Sequence, residues 1–141
     1  MSELNIVEKV ITLEGVDLFA QLSPEQLARL ASIAHEVRFP PGRLVLDAAH
    51  PVDALYVILD GAVDLARDSE PLATARRNEV LGAWALFDEE EPAAVTAKAS
   101  EDTRLLRIGR DDFYDLLADN SEITSALFST MVKRFRKLVA S

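Results

Sequence analysis

The apolar positions of this chain change their spacing twice. Leu4, Val7, Val10 and Ile11 recur at three- and four-residue intervals, and Leu13, Val16, Leu18 and Phe19 follow a break at Glu14-Gly15. That spacing predicts a short amphipathic helix and then an apolar turn. Ser23-Pro24-Glu25-Gln26 carries the signals of a helix start: serine as N-cap, proline at the first helical position, and a glutamine able to close a capping box. Leu27, Leu30, Ala31 and Ile33-Ala34 mark the buried face of this second helix, predicted over Pro24 to His35. From Glu36 the apolar residues come instead in short sets: Val37 and Phe39, Leu44 and Leu46, Leu55-Val57-Leu59 with Tyr56-Ile58, then Val63 and Leu65. Short sets between turn residues predict an antiparallel β core.

The breaks carry residues suited to turns, as in Pro40-Pro41-Gly42, Asp60-Gly61, Asp68-Ser69-Glu70-Pro71 and Arg77-Asn78-Glu79. A compact piece of one or two helical turns is predicted after Gly82, with strands through Val95–Ala99 and Thr103–Ile108. Helices return at Arg110. Asp111, Asp112 and Asp115 place negative charge around Phe113, Leu116 and Leu117, the polarity that a helix N-terminus favours. Asn120 or Ser121 caps a last helix, on which Ile123, Leu127, Phe128, Met131, Val132, Phe135 and Leu138, with Val139, form a wide stripe. Either the whole stripe packs on its own domain, or part of it meets a second copy or a neighbouring domain.

Several of these pieces stand in a recognisable order from Val16 to Val139. They are Val16-Asp17-Leu18-Phe19 before the helix capped at Leu22-Ser23-Pro24-Glu25, Pro41-Gly42, and the run Asp53–Val63. Val80-Leu81-Gly82, Ala85-Leu86, and Leu105-Leu106-Arg107-Ile108 before Asp111-Asp112-Phe113 complete the set. The set resembles the cyclic-nucleotide-binding domain of catabolite-activator-like regulators, kinase regulatory subunits and gated channels. That resemblance implies an α+β, mainly β fold: an antiparallel β-roll, a jelly-roll-like double-stranded β-helix, flanked by N-terminal and C-terminal helices. It implies a single domain over 1–141, with N-terminal helices at 1–38, the roll at 39–109, its phosphate-binding cassette at 82–99, and C-terminal helices at 110–141.

The resemblance also implies a ligand pocket at Gly82, Ala83, Trp84, Ala85, Leu86, Ala93, Ala94 and Val95. In the family, a glutamate directly after the cassette glycine accepts from the ribose 2′-hydroxyl, and an arginine ten or eleven residues after that glycine pairs with the cyclic phosphate. Here the glutamate position is Ala83, and the arginine position is Pro92 or Ala93. No arginine occurs between Asn78 and Thr103, Lys98 falls on the following strand, and Asp88-Glu89-Glu90-Glu91 adds negative charge to the same loop. Trp84 stands where a smaller aliphatic residue is usual, either as a plug in the emptied pocket or as packing for the terminal helices. Ala48–Asp53, a turn rich in glycine in relatives, contains none here.

The implied function is a regulatory or interaction module that does not take cyclic AMP or cyclic GMP in the usual way. The alternative is a small-molecule sensor for a different ligand, or a weak cyclic-nucleotide site held by backbone donors. The expected partner is a second copy through Ile123, Leu127, Phe128, Met131, Val132, Phe135 and Leu138, or a fused or neighbouring effector domain. Catabolite-activator-like relatives carry a helix-turn-helix after the last helix, where this sequence stops, so direct DNA reading is not expected.

Composition narrows the chemistry further. At 141 residues the chain has the length of one domain. A net charge of −9 repels phosphate backbones, which argues against nucleic acid as a partner. The basic run Lys133-Arg134-Phe135-Arg136-Lys137 lies where cations complement the end of a helix. Cysteine is absent, which removes disulfides, thiolate metal sites and cysteine nucleophiles, and with no secretory signal pattern a cytoplasmic setting is expected. No apolar run approaches the roughly 20 residues of a membrane span. The acidic run 88–91 lacks the glycine-punctuated spacing of a calcium loop, and His35 and His50 form no paired zinc motif. The serines lie in no nucleophile motif and no phosphate-cradling glycine loop of the nucleotide-hydrolase type is present, so neither an enzyme, a cofactor nor a metal is expected.

Overall fold

The computed structural model describes residues 3–83 and 95–140. They fall into two compact units: Met1–Ile33 with Asp111–Ser141, and Ala34–Arg110.

The helical unit begins with α1, Ile6–Glu14, whose capping box joins the Glu8 amide to Asn5 Oδ1 at 2.8 Å and the Asn5 amide to Glu8 Oε1 at 3.0 Å. The chain leaves α1 at Gly15 and makes a 3-10 turn at Asp17–Phe19 that buries Phe19. The helix α2, Pro24–Ser32, starts as its sequence predicts: Ser23 Oγ accepts from the Gln26 amide, Gln26 Oε1 accepts from the Ser23 amide, and Pro24 needs no partner for an N–H it lacks. Leu27, Leu30 and Ala31 form its buried face.

α2 ends earlier than the sequence pattern indicates. The expectation of helix to His35, and of helices to residue 38, gives way at Ile33 to the strand β1, Ala34–Phe39. Ile33 and Ala34 continue the apolar spacing of the helix, but Ala34 pairs with Ile108 across the ladder. A partner that distant in sequence leaves no local signature. The unit closes with α3, Arg110–Asp119, and α4, Ser121–Ala140. At their junction the Asn120 carbonyl accepts from the amides of Ile123 and Thr124, its Nδ2 donates to the Leu116 carbonyl, and its Oδ1 accepts from Arg29.

The β unit holds two four-stranded sheets. After β1 come β2 (Leu44–Leu46), β3 (Ala54–Asp60), β4 (Val63–Arg67), β5 (Glu70–Ala75), β6 (Val80–Leu81), β7 (Thr96–Ala99) and β8 (Thr103–Gly109). The sheet orders are β1-β8-β3-β6 and β2-β7-β4-β5, with every neighbour antiparallel. One apolar cluster draws on both sheets, joining Leu46, Tyr56, Ile58, Val63, Ala97 and Leu105 with others. This is the predicted roll of the α+β, mainly β class, starting at Ala34 and not at residue 39. In β3 every residue from Ala54 to Leu59 is buried, which explains why its apolar residues run continuously and do not alternate.

Gly61 is required at the β3–β4 turn. Its φ is +99°, and a Cβ there would stand 2.5 Å from Thr103 Oγ1 and 2.7 Å from Thr103 Cα. The buried Thr103 hydroxyl in turn donates to the Ala62 carbonyl and accepts from the Ala62 amide, fastening that turn to the start of β8.

Candidate functional site

Of the pocket residues inferred from the sequence, Gly82, Ala83 and Val95 are described. Trp84, Ala85, Leu86, Ala93 and Ala94 lie outside the described residues, as do Pro92 and the acidic run 88–91. Gly82 ends β6 with φ +86°, and a Cβ there would meet the Ala54 carbonyl oxygen at 2.8 Å and Val52 Cγ1 at 3.2 Å. Only glycine allows the backbone this close to the start of β3. Ala83 is helical and half-buried, and Val95 is half-buried just before β7.

Pairing fixes where the lysine of the following strand points. Ala97 lies opposite Leu46 and Leu65 on the core face, whereas Lys98 lies opposite Leu44 and Asp64 and is exposed. Successive residues of a strand face opposite ways, so Lys98 is turned away from the apolar side of β7.

Beside the Gly82 backbone lies a cavity of about 350 Å³, whose walls include Val45, Leu46, Val52 and Tyr56 with the polar residues Asp47 and His50. Leu46 and Val52 are the side chains that also approach Gly82. The loop here turns without glycine because Asp47 does the work: its Oδ1 accepts from the Ala49 amide at 3.0 Å and its carbonyl from the His50 amide at 3.0 Å. Asp47 Oδ2 lies 3.0 Å from His50 Nδ1. The Ala49 amide first, and the His50 ring second, hold the Asp47 carboxyl below the ordinary aspartate range. The sequence pattern singled out neither the Asp47–His50 pair nor Tyr56; an aspartate two residues before an amide that needs a partner is the local signal that was there.

The stripe on α4 divides. Ile123 and Leu127 are buried, while Phe128, Met131, Val132, Phe135 and Leu138 are exposed, with Phe128 at 66% and Phe135 at 67%. Within the basic run, Arg134 reaches Asp17 at 3.8 Å inside the helical unit. Among the described residues no group of carboxylates, histidines or cysteines is placed to hold a metal ion, and no helix is long and apolar enough to cross a membrane.

A family model described as "Cyclic nucleotide-binding domain" matches residues 36–120. The cAMP-dependent protein kinase regulatory subunit of Aspergillus fumigatus is 32% identical over 113 residues, which cover 79% of this chain and 27% of that protein. The cyclic AMP receptor protein of Thermus thermophilus is 29% identical over 130 residues, 89% of this chain and 60% of that one. The chain thus spans less than two thirds of these curated relatives. Among solved structures, the N-terminal domain of a transcriptional regulator from Streptomyces coelicolor superposes with a TM-score of 0.81 at 32% identity, covering 90% of this chain and 94% of that one.

Proposed function

The chain belongs to the cyclic nucleotide-binding domain family, and from that premise we propose that it is a regulatory module in which the usual grip on a cyclic nucleotide has been lost. The observation that carries this reading is the residue content of the cassette. Ala83 stands at the glutamate position, Pro92 or Ala93 stands at the arginine position, and no arginine occurs between Asn78 and Thr103. The orientation of Lys98 supports it, since the lysine on the following strand is exposed and turned from the apolar face of β7.

The size of the effect follows from the contacts removed. A charge-assisted hydrogen bond contributes roughly 1.5–3 kcal/mol, so losing two weakens binding on the order of 10²- to 10⁴-fold. A conformational signal needs a ligand that binds two states differently, and a ligand this weakened supplies little difference. The module then acts through its surfaces, by pairing with a second copy along α4 or by docking an effector domain.

Calorimetry of the intact chain tests the proposal. Cyclic AMP and cyclic GMP are expected to give no saturation at micromolar concentration. The Ala83→Glu/Ala93→Arg variant is expected to gain affinity by on the order of 100-fold or more. Micromolar binding by the natural sequence rejects the reading.

A second reading is favoured by the cavity beside Gly82. Its apolar walls and the Asp47–His50 pair suit a small, less anionic ligand than a cyclic nucleotide. A ligand that displaces the amide resonances of Leu46, Val52 and Gly82, with cyclic AMP unable to do so, supports a sensor over a scaffold.

A further inference from the structure

The β unit contains a second cavity of about 350 Å³, lined by Val37, Arg38, Phe39, Arg43, Tyr56 and Arg107. It shares only Tyr56 with the cavity beside Gly82. Its unusual feature is a guanidinium on the core side of a sheet. β8 runs between β1 and β3, so Arg107 lies opposite His35 on one side and Tyr56 on the other. Two residues earlier on the same face, Leu105 lies opposite Val37 and Ile58 within the apolar cluster. Alternation along β8 therefore places Arg107 with the core residues and not on the outer face with Leu106.

Arg43 and Arg107, which both line the cavity, keep donors that no close partner takes up, while Arg38 lies 3.7 Å from Asp102. Arg107 Nη2 lies 3.4 Å from Oδ2 of the exposed Asp53, longer than the roughly 2.7–2.9 Å of a charge-assisted hydrogen bond. Arg43 holds its guanidinium carbon over the Phe39 ring, 5.0 Å from its centre, and has no carboxylate partner among the described residues. Phe39 meets Tyr56 edge-on, with ring centres 6.2 Å apart. Arg104 shows what a structurally committed arginine looks like in the same sheet. It reaches Asp60 at 2.8 Å and Glu36 at 3.5 Å, and the Asp60 hydrogen bond raises its pKa.

We infer that this cavity binds a small oxyanion carried on a flat unsaturated ring, an aryl carboxylate or aryl phosphate. Arg43 and Arg107 grip the oxyanion, and Phe39 and Tyr56 receive the ring. Guanidinium forks match the geometry of carboxylate and phosphate oxygens, and a cation already held over an aromatic face needs little reordering to take up an anion. At about 350 Å³ the cavity lies at the small end of ligand sites, a size that suits one ring and its head group. In a chain with a net charge of −9, this concavity gathers three arginines; Asp102 stands 3.7 Å from Arg38 and Asp53 3.4 Å from Arg107, so Arg43 supplies the positive charge that a small anion senses at short range. The inference stands apart from the fate of the nucleotide cassette, because Arg43 and Arg107 belong to neither the cassette nor the Gly82 cavity.

The test is a titration of the full chain with phenyl phosphate, benzoate and inorganic phosphate, followed by backbone amide NMR shifts. At least one aryl probe is expected to move the amides of Val37, Phe39, Arg43, Tyr56 and Arg107 saturably, about tenfold or more tightly than inorganic phosphate; the preferred head group identifies the class. Arg43→Gln and Arg107→Gln are each expected to weaken that probe about tenfold, and Phe39→Leu to weaken the aryl probe but not inorganic phosphate. The proposal is overturned if neither aryl probe saturates, if inorganic phosphate binds as well, or if the arginine variants bind as the natural chain does. Should Arg107→Gln disturb the amide spectrum as a whole, Arg43→Gln, in the exposed turn before β2, decides the matter alone.

Discussion

Asp47 shows how one side chain sets the course of a loop that contains no glycine. By accepting the Ala49 amide it closes the turn after β2, and by facing His50 it places a polar pair at the rim of an apolar cavity. Both partners favour the ionised carboxylate, so its pKa in the folded state is lower than in the unfolded chain. The sign of the linkage follows. The stabilisation is present above the unfolded aspartate value and is lost as pH falls through the folded one. Asp47→Asn is therefore expected to flatten the acid limb of stability between about pH 5 and pH 2. Urea midpoints of both chains across that range check it; equal slopes mean that the carboxylate contributes nothing to the turn.

Elements divide their faces by depth. On α4, Ile123 and Leu127 are buried while Phe128, Met131, Val132, Phe135 and Leu138 are exposed. The exposed set recurs at three- and four-residue spacing, the arrangement by which one helix packs along another. Phe128→Asp/Phe135→Asp removes two exposed rings and leaves Ile123 and Leu127 in place, so the helical unit should keep its fold. If this face pairs with a second copy and not with an effector domain, sedimentation equilibrium shows the natural chain self-associating and this variant monomeric at the same concentration. A variant that associates as strongly as the natural chain excludes this face as the seam.

For the molecule as a whole, charge decides how its associations respond to salt. Two copies each carrying −9 repel one another, and a seam of apolar side chains supplies no compensating attraction of opposite charges. Raising salt from about 0.05 M to about 0.5 M shortens the screening length several-fold and is expected to increase the dimer fraction. Dissociation by salt points instead to a seam held by ion pairs, for which the run Lys133–Lys137 is the natural source. Nucleic-acid binding, were it present, carries the same opposite sign, since it weakens steeply with salt.

The amino-acid sequence by itself determined whatever depends on near neighbours. Ser23 and Gln26 cap α2 because both partners lie within one turn, and Gly61 marks a turn because its backbone conformation is local. The lack of any arginine between Asn78 and Thr103 is equally a property of the sequence. Tertiary structure decided what depends on pairing. Ala34 is strand and not helix because Ile108 waits opposite it, and Lys98 faces outward because Ala97 is held against Leu46. Arg107 and Arg104 are the same residue three positions apart on one strand. Only the strand's alternation, set by partners far along the chain, sends one to a pair of carboxylates and the other to the margin of the core.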